Sequence, residues 1–316
     1  MNILITGVAG FIGSCLAREM AKDHKVYGID NLNNYYSVNL KIQKLKNIKK
    51  LKNFYFKKID INSDKKLNRY LKKKKIDIIY HLAAQAGVRY SFEKPDEYID
   101  NNIRGFFNII KISKIIGIKK IIYASSSSVY GDSKKFPLNE KQILRQKNIY
   151  AVSKMINEQT AEFFSKIINI KFIGIRFFTI YGPWGRPDML LFKLFKSFEQ
   201  NKYIEINNKG NHYRDFTYID DAIVILKKLL RKNYPKHEIF NICSNNPVNI
   251  SKLVKNFKKK KFLKVKYVKK HKADVFKTHG DNKKIIKSLK VSKFSNFEEK
   301  FWHTFDWYKK NKIDRV

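Results

Sequence analysis

The chain is poor in cysteine, proline and glycine, with 2, 6 and 13 among 316 residues. Two cysteines, Cys15 and Cys243, cannot build a disulfide framework, which sets aside the small stapled scaffolds of secreted proteins. Both read as small buried hydrophobes. No stretch of Pro, Gly or Ser forms a linker, and no internal repeat is present. No apolar run approaches the length of a membrane span. The first strand is not preceded by a basic start, an apolar stretch and a cleavage site. The expected location is the cytoplasm, with no membrane partner.

Acidic residues are also few: 27 Asp+Glu stand against 67 Lys+Arg, a formal charge of +40. Such an excess raises nucleic acid as a partner. Its distribution argues against that. The surplus is nearly all lysine, spread over helix faces and loops, as in residues 72–75 and 258–261. Arginine, the better base reader and phosphate fork, is scarce. Much of it falls inside the motifs below, as Arg89, Arg176, Arg186 and Arg214. Solvated lysine is therefore the favoured reading, with no nucleic acid bound. The positive field still attracts anionic substrates.

What is abundant is apolar. Hydrophobic residues make up 43%, including 24 Phe and 18 Tyr, enough for one large or two modest globular domains. Strand patterns at residues 3–6, 26–29, 54–57, 76–80, 120–124 and 171–177 alternate with helical ones. The helices are predicted at 11–22, 37–52, 96–117 and 150–169, with one more between the third and fourth strands. Continuous apolar strands separated by helices predict a Rossmann-type α/β fold, a doubly wound parallel sheet covered on both faces. The rhythm breaks where Pro183, Gly185 and Pro187 crowd together. Residues 1–181 are read as the nucleotide-binding domain. Residues 182–316 are read mainly as a smaller mixed α/β substrate-binding cap, with chain crossovers between the lobes.

Three of the scarce glycines sit together. Gly7, Gly10 and Gly13 form G-x-x-G-x-x-G between the first strand and first helix. Glycine there permits a tight turn and close approach of a pyrophosphate to backbone N–H groups at a helix N-terminus. Phe11 and Ile12 lie within the same turn. Asp30 ends the second strand, about twenty residues on, where a carboxylate can accept from both ribose hydroxyls and repel a 2′-phosphate. NAD is thus the expected cofactor. The competing reading has Asp30 merely capping the following loop. Asp60 and Ile61 follow the third strand, where Asp60 suits an adenine edge. Leu82, Ala83 and Ala84 end the fourth strand with small residues, and His81 beside them reads as structural. No metal is expected.

Tyr150 and Lys154 are four apart at the start of a helix, hence on one face. An ammonium near a phenol favours the phenolate and lowers its pKa, as does the cationic ring of oxidised nicotinamide. A tyrosine tuned in this way serves as a general base near neutral pH. Residues 125–128 are all serine, directly after a parallel strand, where ligands of α/β sheets bind.

The glycine turn, His81-Leu82-Ala83-Ala84, Ser125-Ser126-Ser127-Ser128-Val129-Tyr130-Gly131 and Tyr150-x-x-x-Lys154 together resemble the extended short-chain dehydrogenase/reductase family. The resemblance is to its nucleotide-sugar epimerase branch and spans essentially the whole chain. The segments 85–91, 176–189 and 214–221 resemble the UDP-glucuronate 4-epimerases of that branch. The resemblance implies interconversion of UDP-glucuronate and UDP-galacturonate through a 4-keto sugar, with tightly bound NAD. By the same resemblance Tyr150 is the base at O4, Lys154 supports it and the nicotinamide ribose, and Ser126 hydrogen-bonds O4. Arg186, Thr179 and Ser127 fall near the C5 carboxylate, Arg214 at the diphosphate and Arg89 near the substrate. It also implies a homodimer through helices 96–117 and 150–169, and a place in polysaccharide sugar supply. Related dehydratases and decarboxylases carry an acid just before Val-Tyr-Gly, where this chain has serine. Alternatives are a 4-epimerase of UDP-N-acetylglucosamine or another UDP-hexose, whose neutral C6 would leave Arg186 unpaired, a UDP-glucuronate decarboxylase, and a non-catalytic NAD-binding regulator.

Overall fold

The computed structural model describes residues 1–291 and 293–311. Seven strands form one parallel sheet. They are β1 (Asn2–Thr6), β2 (Lys25–Asp30), β3 (Phe54–Lys58), β4 (Ile78–His81), β5 (Lys120–Ser126), β6 (Lys171–Phe177) and, from the second half, β10 (His237–Ile242). Their spatial order is β10-β6-β5-β4-β1-β2-β3. Chain order therefore reverses between β1 and β4, and a crevice opens at the carboxyl ends of those two strands, as such switch points require. Residues of β1, β4, β5 and β6 are almost all buried, which is why these segments read as unbroken apolar runs.

Helices α1 (Phe11–Met20), α2 (Val38–Lys49), α3 (Asp64–Leu71), α4 (Asp96–Tyr98), α5 (Gly105–Ile115) and α6 (Ile149–Ile167) connect the strands. Local chemistry starts several of them. Ser37 caps α2 by accepting from the Leu40 N–H, and Asn148 caps α6 by accepting from that of Ala151. Helix α1 has no such cap and no acid in its first turn, so its N–H groups are left for a ligand.

The predicted helix over 96–117 is interrupted. Residues Ile99–Arg104 form a π-helical turn between α4 and α5. Its cause is polar. Buried Asn102 donates to the Gln85 carbonyl and to Ser153 Oγ, and accepts from the Gln85 N–H. These bonds hold the turn at a register that a regular helix does not supply, and the turn carries Asn101 to the main cavity.

The cap has a three-stranded sheet, β11-β9-β7, and a parallel pair, β12-β8. These are β7 (Thr179–Tyr181), β8 (Tyr203–Asn207), β9 (Tyr213–Tyr218), β11 (Pro247–Asn249) and β12 (Lys264–Val268). Helices α7 (Leu190–Glu199), α8 (Ile219–Arg231), α9 (Ile250–Lys260), α10 (Lys283–Leu289) and α11 (Phe297–Asn311) complete it. An aromatic cluster of Phe195, Phe257, Phe301, Phe305 and Tyr308 joins α7, α9 and α11. Each such side chain contributes roughly 1.5–3 kcal/mol of burial. Strand β7, before residue 182, lies in the three-stranded sheet, while β10 pairs into the seven-stranded sheet and α8 packs on α1.

Both cysteines are buried free thiols. The lysines of 72–75 and 258–261 are mostly exposed, as a solvated surface predicts. Among the described residues, no helix is long and apolar enough to cross a membrane, and no group of side chains is arranged to hold a metal.

Candidate active site

A cavity of about 260 Å³ runs along the carboxyl ends of the strands, from the glycine turn to Tyr150. Gly7 has φ +70, and a Cβ there would lie 2.7 Å from the Ala83 N. A Cβ on Gly13 would lie 2.2 Å from the Gly7 carbonyl oxygen. Both positions therefore exclude side chains, and the strand end, the turn and α1 close up tightly. Gly10, Phe11 and Ile12 line the cavity beside them, as do Ile61, Leu82, Ala83 and Ala84. An uncapped helix end, glycines that admit close approach and a carboxylate opposite are what a dinucleotide needs, so these residues fit NAD.

Asp30 also lines the cavity. Its Oδ1 accepts from the Leu32 N–H at 2.8 Å and its Oδ2 from the Ala9 N–H at 3.0 Å. The capping reading is thus true of one oxygen, while lone pairs remain for ribose hydroxyls. Burial raises the Asp30 pKa, opposed by those N–H groups and by the Lys41 charge. Asp60 is not brought to the cavity. Asn31 Nδ2 donates to its Oδ2 at 2.9 Å, and the Asn62 N–H donates to Oδ1 at 2.8 Å. Its carboxylate joins these two loop segments. His81 is structural as expected: Nδ1 pairs with Thr6 Oγ1 at 2.9 Å, the ring stacks on Phe106, and burial lowers its pKa to about 3.

Tyr150, Lys154 and Ser126 meet at the far end of the cavity. Ser126 Oγ accepts from the Ser128 N–H at 3.1 Å, and its hydroxyl is near enough to the Tyr150 phenol to favour the phenolate. Lys154 Nζ lies 6.0 Å from the phenol ring centre but donates to the Ala124 carbonyl at 2.8 Å. The simple expectation that the ammonium acidifies the phenol needs correction. Burial raises the Tyr150 pKa and outweighs the lowering by Ser126 and by the Arg186 charge. Lys154 itself is lowered to about 8 by burial, opposed by Glu158. Glu158 is held in turn by Arg176 in a two-point pair at 2.9 and 2.7 Å, and it accepts from Ser125 Oγ. Acidification of Tyr150 thus requires a further positive group in the cavity.

Arg186 reaches the cavity beside Tyr150. Its fork does grip a carboxylate, but an internal one: Nε donates to Asp188 Oδ1 at 2.9 Å and Nη2 to Oδ2 at 2.6 Å. A neutral sugar C6 would therefore not leave Arg186 unpaired, and its presence alone does not discriminate uronates. Ser127, Thr179, Arg89 and Arg214 are not among the residues lining this cavity. Thr179 sits on β7 and lines a separate small apolar cavity with Phe216. Arg89 pairs with Asp274 at 2.9 Å, and Arg214, which donates to the Tyr213 carbonyl, feels both of those charges. These side chains come from the cap and from loops, where neighbouring side chains decide their direction.

The sequence reading gives no role to Tyr35, Lys41, Gln85, Asn101 or Asp188. Tyr35, Lys41, Gln85 and Asn101 line the cavity. The available signal for Asp188 is its place two residues after Arg186 across Pro187, where a short arginine–carboxylate pair can close.

A family model described as the NAD dependent epimerase/dehydratase family matches residues 3–243. A curated protein from Thermodesulfobacterium geofontis named UDP-glucuronate 4-epimerase is 38% identical, covering 98% of this chain and 96% of its own. The crystal structure of UDP-glucuronic acid 4-epimerase from Bacillus cereus, in complex with UDP-glucuronic acid and NAD, superposes with a TM-score of 0.91. It is 30% identical, and the match covers 98% of this chain and 99% of that one. A UDP-glucose 4-epimerase from Thermotoga maritima, solved with UDP-glucose, is 27% identical at a TM-score of 0.90, covering 98% and 99%.

Proposed function

The chain belongs to the NAD-dependent epimerase/dehydratase family, and from that premise we propose that it inverts C4 of UDP-glucuronate, giving UDP-galacturonate. The observation that carries the chemistry is one cavity holding a dinucleotide cradle at one end and Tyr150 with Ser126 and Lys154 at the other. Full-length likeness to UDP-glucuronate 4-epimerases favours the uronate over a neutral sugar.

Bound NAD would supply a reversible hydride acceptor for C4 and, while oxidised, a positive charge near the phenol. Tyr150 removes the O4 proton as hydride departs, then returns it once the 4-keto sugar has turned its other face. Ser126, which lines the same end of the cavity as Tyr150, presents a hydroxyl to the same O4. Lys154 is anchored on the Ala124 carbonyl and would hold the nicotinamide ribose. Asp30 accepts from the adenosine ribose. Arg186 stands at the sugar end of the cavity for the C5 carboxylate; family resemblance alone would add Thr179 and Ser127 there, Arg214 at the diphosphate and Arg89 near the substrate, although none of these four lines the cavity. The serine run at 125–128 supplies no acid, which argues against the elimination and decarboxylation chemistries. Free thiols at Cys15 and Cys243 and a nucleotide-sugar substrate suit the cytoplasm.

A homodimer is part of this reading. Phe107 and Ile115 on α5 are 47% and 53% exposed, and Phe163 and Ile167 on α6 are 58% and 59%. Two helices sharing an apolar outer face suit packing against a second copy. Light scattering is expected to give the mass of two chains, and a monomer would contradict it. For the reaction, purified protein with UDP-glucuronate and no added NAD is expected to yield UDP-galacturonate anomeric signals by NMR. Quantitative release of CO2 with a UDP-pentose would replace this reading with a decarboxylase.

A further inference from the structure

Arg186 offers a ligand two edges, a side edge of Nε and Nη2 and an end edge built on Nη1. Asp188 takes the side edge with both oxygens, at 2.9 and 2.6 Å. The Tyr35 hydroxyl donates to Asp188 Oδ2 at 3.1 Å, and the Tyr35 ring lies 5.9 Å from the guanidinium carbon. Room for that hydroxyl comes from Gly87, where a Cβ would lie 2.0 Å from it. Burial works against the Asp188 charge, but Arg186 and the hydrogen bonds outweigh it and hold the carboxyl below its ordinary range. Nη1 has no hydrogen-bond partner among the described residues, and Arg186 lines the cavity beside Tyr150. The three groups are thus a fixed mount for one arginine, with one edge left over.

We propose that Asp188 is a positioning residue which, with Tyr35, locks the side edge of Arg186 so that its end edge holds the substrate carboxylate in one orientation. The inference rests on the reading of the substrate as a UDP-hexuronate. Its consequence is chemical. Oxidation at C4 makes the C6 carboxylate β to a ketone. If that carboxylate turns perpendicular to the carbonyl plane, the C5–C6 bond breaks and CO2 leaves. The bonding electron pair passes into an enolate with C4, and a proton from water later adds at C5. A locked Arg186 keeps the carboxylate out of that orientation. Pairing with Asp188 also cancels the arginine's net charge, so a uronate is recognised by direction of hydrogen bonding more than by charge.

The test compares wild type, Asp188→Asn, Asp188→Glu and Tyr35→Phe, each checked for bound NAD and thermal unfolding. Substrates are UDP-glucuronate and UDP-glucose. In Asp188→Asn, epimerisation kcat on UDP-glucuronate is expected to fall about tenfold, KM to change far less, and CO2 to appear, since loss of orientation costs rate more than binding. Asp188→Glu should recover part of the rate and suppress CO2, and Tyr35→Phe should show a smaller loss in the same direction. An unchanged rate without CO2, or an equal loss on both substrates without CO2, overturns the proposal. If Asp188→Asn does not fold, Tyr35→Phe decides by the same criterion. A wild-type enzyme inactive on UDP-glucuronate overturns the uronate reading together with this inference. An active wild type with silent variants overturns this inference alone.

Discussion

The two ends of the cavity are built by different means. At the cofactor end the work is done by backbone and by missing side chains, within one strand, turn and helix plus Asp30. At the sugar end it is done by side chains drawn from β5, α6 and three separate loops. A site made of backbone forces the identity of its residues, because only glycine fits at Gly7 and Gly13. A site made of side chains depends on which partner each one finds. Arg186 finds Asp188 and Lys154 finds Ala124. Spacing permits the first of those choices and says nothing of the second.

The sharpest break between the two ends is Tyr150→Phe. Turnover should fall by roughly 10²–10⁴, the usual range for removing a general acid–base group. Released NAD, measured after denaturation, should stay at the wild-type amount. Loss of NAD along with activity would mean that the two ends are not separable. Gly13→Val makes the opposite cut. Its side chain has to push aside the Gly7 carbonyl, so bound NAD is lost and stability falls by about 1–3 kcal/mol, read by NAD content and urea unfolding.

A smaller effect separates function from stability. Burial, opposed by Glu158, lowers the Lys154 ammonium from 10.5 to about 8. Between those values the unfolded chain holds more protons than the folded one, so stability at this site rises with pH. Below about pH 8 the full cost of the buried charge is present. Lys154→Met should abolish turnover yet raise Tm by a few degrees at pH 7 in protein stripped of NAD. The gain should fade as pH climbs through 9 and 10. A Tm difference independent of pH would show that Lys154 packs rather than titrates.

The strands were legible because β1, β4, β5 and β6 are buried on both faces, and burial on both faces leaves unbroken apolar runs. The glycine turn was legible for the steric reason above. The break in the 96–117 helix was not, because it is set by Asn102 reaching Gln85 and Ser153 far along the chain. The sheets that β10 and β7 join could not be read from their sequences, which are too ordinary to single out. Asp60 shows the ambiguity of an acid after a strand, since its bonds to Asn31 and Asn62 could not be read from spacing. The pairing of Arg186 with Asp188 was not read from the sequence, which offered only a substrate carboxylate as its partner.

The central claim is that hydride leaves C4 and returns to the same carbon while Tyr150 moves only the O4 proton. UDP-glucuronate carrying deuterium at C4 tests it. Incubated with the purified protein in ordinary water, it should give UDP-galacturonate with the label still at C4, by NMR and mass spectrometry. Product with C4 deuterium exchanged for solvent hydrogen would contradict the account.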